Sequence, residues 1–104
     1  MALTRQLIEI TFGNAMTQAR QLDQCAEDMI RVANSSMGNI KGDISAAWQG
    51  ESANAYLQKM DMTSANIIKT AKRLQEIART LRSVATLFRN TELRAIELAE
   101  QRTY

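Results

Sequence analysis

Side chains able to make or break bonds are scarce in this chain of 104 residues, which has no histidine, one cysteine and four scattered glycines. No glycine-rich loop that would cradle a phosphate is present. The carboxylates stand near bases, as in Asp28 with Arg31 and Glu76 with Arg79. That spacing suits exposed ion pairs on a helix, not an acid and a base facing one substrate. Cys25 without any histidine leaves no donor set for zinc, and it has no partner for an internal disulfide. It reads as a small apolar helix residue, with an interchain disulfide as the alternative. No catalytic, cofactor-binding or metal-binding residue is expected, and no small-molecule substrate. The chemistry on offer is recognition, and its most conspicuous side chain is the single tryptophan, Trp48.

Trp48 sits near the midpoint, in Ala46-Ala47-Trp48-Gln49-Gly50, between two long segments of helical periodicity. Proline is absent, and Ala, Leu, Ile, Gln and Arg abound, which favours long helices over a many-turned sheet. The fold class is therefore all-α: an antiparallel helix-turn-helix hairpin in one domain spanning 1–104. Helix 1 is expected over about 5–46, the turn over 47–51, helix 2 over about 52–90, and a helical extension over about 91–104. Gly50 suits the turn because, lacking a Cβ, it can take positive φ, and Ser52 is a reasonable cap for the second helix. A turn does not require tryptophan. Trp48 either plugs the open end of the hairpin or is an aromatic anchor for another surface.

Both helices carry apolar residues in columns seven apart. In the first, Phe12, Ala19, Ala26, Ala33, Ile40 and Ala47 share a column. Ala15, Leu22 and Met29 form a second, and Met16, Ile30, Met37 and Ile44 a third. In the second helix the columns are Ala53, Met60, Ile67, Leu74, Leu81 and Phe88; Tyr56, Ile77 and Val84 with two threonines; and Leu57, Ser64, Ala71, Ala78 and Ala85. Three columns make the wide stripe of a bundle helix. The alanine columns are expected to meet within the hairpin, leaving larger residues for another pair of helices. Leu22, Met29, Ile30, Ile40, Tyr56, Met60, Ile67, Leu74, Ile77 and Leu81 are the expected hairpin or dimer core. Asn34-Ser35-Ser36 and Gly38-Asn39 read as soft spots inside a continuing helix. The pattern falters at Arg89-Asn90-Thr91-Glu92, and the C-terminal segment is expected to overhang the hairpin. Two helices with stripes this wide leave apolar surface in water, and association of two hairpins into a four-helix bundle is the simplest remedy.

The net charge is +2, with a basic excess between Lys69 and Arg94. That run reads as a solvated helix face, with nucleic acid or anionic lipid as the alternative partner. No segment approaches the length and apolarity of a membrane span, and residues 1–12 lack the apolar run of a secretory signal. Export, if it occurs, is expected without a cleaved signal.

The stretch Ile44-Ser45-Ala46-Ala47-Trp48-Gln49-Gly50, followed by Ala53 and Ala55-Tyr56 and flanked by long heptad helices, resembles the WXG family of small type VII (ESX) secretion substrates. The resemblance covers nearly the whole chain. It implies a non-enzymatic secreted protein that pairs as a homodimer, or as a heterodimer with a related WXG-type protein or the helical domain of a larger effector. It also implies export through a machine driven by a secretion ATPase. In the family the Trp-X-Gly turn of one subunit and a C-terminal helical segment of its partner form a composite export signal. Trp48 and Gly50 would supply the turn half. The usual Tyr-X-X-X-Asp/Glu is missing here: Tyr104 ends the sequence, leaving Phe88 with Glu92 or Leu93 with Glu97 as looser versions. The runners-up are a membrane- or nucleic-acid-binding protein using the basic second helix, and a structural bundle subunit.

Overall fold

A computed structural model describes residues 4–102; Leu3 and Tyr104 lie outside the described residues. Helix α1 spans Arg5–Arg31, a one-turn π-helix follows at Val32–Ser36, α2 spans Met37–Ala47 and α3 spans Glu51–Gln101. No strand occurs among the described residues. The chain is a helical hairpin whose contacts group into two units, 4–22 with 76–102 and 23–75.

In the first unit, the start of α1 packs antiparallel on the end of α3, and Ile8, Ala19, Ala78 and Ala85 are buried between them. Small side chains let two helix backbones approach closely, so alanine defines the seam. One flank of that seam is polar. Glu9 accepts a 2.7 Å hydrogen bond from Arg89 Nε, and the Arg89 guanidinium lies 5.1 Å from the centre of the Phe12 ring. The Arg5 guanidinium donates to both carboxylate oxygens of Glu100. Through those hydrogen bonds Arg5 holds the Glu100 carboxyl below the usual carboxylate range. The stabilisation it brings is present above that range and is lost as pH falls through the lowered value. Arg5 opposite Glu100 also corrects the expected overhang: the end of α3 lies beside the start of α1. Residues 89–92 are unbroken helix, because they contain neither glycine nor proline and Arg89 is tied to Glu9.

In the second unit, Ala26, Ala33, Ala53, Met60 and Ala71 are buried. The π-turn interrupts the seven-residue spacing. The Met37 N–H donates to the carbonyl of Val32, five residues back, where an α-helix would reach four. A π-turn accommodates one extra residue, so the seam steps from Ala33 to Lys41, eight residues on. Lys41 is half-buried between half-buried Met37 and Ile44, and its Nζ donates a 2.6 Å hydrogen bond to Asp61 of α3. Ile40, which the heptad column places in the seam, is 49% exposed.

The turn begins where Trp48 leaves helical geometry, with φ −140° and ψ 125°, its N–H still donating to the Ile44 carbonyl at 2.8 Å. Gly50 has φ 113°, and its carbonyl accepts the first bond of α3 from Asn54 N–H at 3.0 Å. Gly50 therefore holds the cap position expected for Ser52, which lies inside the first turn of α3. Glu51 places its charge at the favourable positive end of the helix dipole. A Cβ at position 50 would meet nothing within 4 Å, so the demand for glycine comes from the backbone alone. We expect Gly50→Ala to lower stability by about 1–3 kcal/mol, the usual cost of a side chain held in such a region, read from thermal or urea unfolding.

Candidate recognition surface

The turn displays an aromatic pair. Trp48 and Tyr56 have ring centres 6.1 Å apart at an interplanar angle of 48°. They remain 45% and 49% exposed, so Trp48 does not plug the hairpin end. Its ring is held against Tyr56, one helical turn and a half beyond the start of α3, and leaves a face to solvent. A side chain ordered in advance loses less entropy when a partner arrives.

The second feature is the flank of the seam opposite the ion pairs. In an antiparallel pair, residues immediately preceding the seam on each helix lie on the same side, because the helices run in opposite senses. In the first unit those residues on α3 are Ile77 and Val84, 53% and 57% exposed. Val84, with Leu81, Ala85 and Phe88, lines a shallow groove completed by Thr11, Phe12 and Ala15 of α1, and Ile77 lies in an adjoining hollow with Glu76 and Thr80. In the second unit the corresponding positions are exposed Cys25, Val32 and Ile40 on the first arm and Tyr56 on α3. Half-buried Met29, Ile67 and Leu74 lie nearer the seam. Within each unit these residues are the columns of larger side chains, left beside the seam once the alanines are taken up by the hairpin.

Of the residues expected in a hairpin or dimer core, Met60 is buried, whereas Leu22, Met29, Ile30, Ile67, Leu74 and Leu81 are half-buried. Ile40, Tyr56 and Ile77 are exposed. Ile30 stands apart from the others, on the polar flank. The C-terminal candidates separate too: Phe88 belongs to the groove, Glu92 and Leu93 are half-buried, and exposed Glu97 lies 3.6 Å from Arg94. The groove's contribution from Thr11 escaped the sequence reading, although it sits beside Phe12, whereas Ala15 stands in the second apolar column of the first helix. Among the described residues no three His, Cys, Asp or Glu side chains are grouped to hold a metal, and no helix is long and apolar enough to cross a membrane.

Residues 7–93 match a family model, WXG100, described as proteins of 100 residues with WXG. No curated protein and no solved structure matches the chain. The matched region takes in both arms of the hairpin and the Trp48-Gln49-Gly50 turn, so the aromatic tip and the two-faced hairpin are read together: the chain belongs to the WXG100 family, the family of small type VII secretion substrates.

Proposed function

We propose that this protein is a non-enzymatic type VII substrate that pairs with a second copy of itself through the apolar flank and presents Trp48 as part of an export signal. The observation that carries the reading is the exposed apolar residues left beside the alanine seam within each unit, Ile77 and Val84 in the first and Val32, Ile40 and Tyr56 in the second. WXG100 proteins typically pair with related WXG partners, and their export by type VII systems supports the same assignment. Self-pairing is favoured because both helical arms carry columns of large apolar residues, as two hairpins closing a four-helix core would need. A related WXG protein, or the helical domain of a larger effector, is the other partner of the same chemistry.

In this reading Trp48 and Gly50 have separate duties. Gly50 sets the backbone of the turn, while Trp48, packed on Tyr56, is the side chain that the secretion machinery or its ATPase meets beside the partner's C-terminal segment. Leu93 and Glu97 are the better candidates for that segment, since Phe88 is engaged in the groove. Their spacing puts them on one face of α3, with the Glu97 carboxylate in solvent.

An export assay tests both halves. Trp48→Ala is expected to abolish appearance of the protein outside the cell while helicity and solution mass stay at wild-type values; undiminished export of this variant would contradict the role given to Trp48. Glu97→Gln, a change on an exposed carboxylate that costs the fold little, is expected to reduce export as well. Wild-type export of Glu97→Gln would mean that the C-terminal half of the signal lies elsewhere or comes from a partner chain.

A further inference from the structure

The π-turn at 32–36 gives up something in the isolated hairpin. Without its extra residue, an uninterrupted α-helix would carry the seam from Ala33 to Ile40 and Ala47, two apolar side chains, and Lys41 would turn outward. With it, the seam receives Lys41, which has to be half-buried and matched with Asp61. For two helices packing only on each other, this exchange is unfavourable.

The gain appears on the other flank. Stepping the seam to Lys41 places Met37 and Ile44 beside it on the apolar side and Ile40 one position farther out, in line with Met29 and Val32 before the turn. An unbroken α-helix would put Ser36, Asn39 and Asp43 there instead. A single inserted residue rotates everything beyond it by about 100°, and so replaces three polar side chains by three apolar ones. The local sequence permits it: Asn34, Ser35 and Ser36 have weak helix propensity and are exposed, so the extra residue bulges into solvent without displacing packed side chains.

We infer that the π-turn is a phase-setting device for the association surface, turning Met37, Ile40 and Ile44 onto the flank that receives the second hairpin and carrying that flank toward the Trp48 turn. The inference rests on the pairing proposed above. It also gives that pairing a specificity element, because a partner must match a flank rotated by one residue between Val32 and Met37.

Two length variants of the full chain test it. Deleting Ser35 removes the extra residue but leaves Met37, Ile40, Lys41 and Ile44 in the same phase as an ordinary α-helix, so self-association should stay within about threefold of wild type. Inserting an alanine between Ser35 and Ser36 brings Ser36, Asn39 and Asp43 onto the flank and Ile40 into the seam. The hairpin should stay helical by circular dichroism while association weakens by about a hundredfold in sedimentation equilibrium. Equal weakening by both variants, or by neither, overturns the inference. A wild-type chain that stays monomeric would defeat the pairing and not the phase. The phase is then read by thiol labelling of dilute monomer in a Cys25→Ser background. Ile40→Cys should react with maleimide faster than Lys41→Cys, and the reverse order would show that the helix passes 32–36 without the extra residue.

Discussion

Close approach of two helices through alanine is the constraint on which the rest of this structure depends. Ala19, Ala26, Ala33, Ala71, Ala78 and Ala85 let the backbones come together, but each removes only a methyl group from water. At roughly 0.8 kcal/mol for a buried methylene-sized group, such a seam contributes far less than a row of leucines would. The larger side chains are displaced to the flanks. In the first unit Glu9–Arg89 and Arg5–Glu100 line one flank of the seam, and in the second Lys41 reaches from the seam to Asp61; all are exposed pairs of modest individual value. In the first unit Ile77 and Val84 are exposed beside half-buried Leu81 and Phe88, and in the second Val32, Ile40 and Tyr56 are exposed.

This division links the fold to its use. The exposed apolar residues beside the seam of each unit are what the proposed association would cover. The turn serves a different end. Its backbone is set by Gly50 at a φ that other residues avoid, and its tryptophan is steadied by Tyr56 without being buried. The fold thus offers exposed apolar residues beside its alanine seams and an aromatic pair at its turn.

Much of this was legible in the chain's letters. The absence of proline, the heptad columns and the glycine after Trp48 were enough for a hairpin, and the alanine columns pointed to a tight seam with larger residues held back. The π-turn was not legible. Asn34-Ser35-Ser36 signals a weak stretch, but Ile40 and Ala47 continue the alanine column so well that an unbroken helix is the natural reading. What decides the phase is the sum over both flanks, which requires knowing that the seam will accept Lys41 if Asp61 stands opposite. The C-terminal end misled for a related reason. Length alone suggested an overhang, whereas long charged side chains, Arg5 and Glu100, reach across to hold the helix ends together. Ser52 looked like a cap because its type is right, yet Gly50 fills that position by conformation.

The measurement that bears most directly on the account is the solution mass of the purified chain by light scattering over a dilution series, with helicity followed in the same samples. A helical species of twice the chain mass that persists on dilution, and that falls to a single chain when Leu81→Lys places a charge on the apolar flank, is the predicted result. A fully helical single chain at every concentration, indifferent to that charge, would contradict the claim that the apolar flank exists to receive a second hairpin.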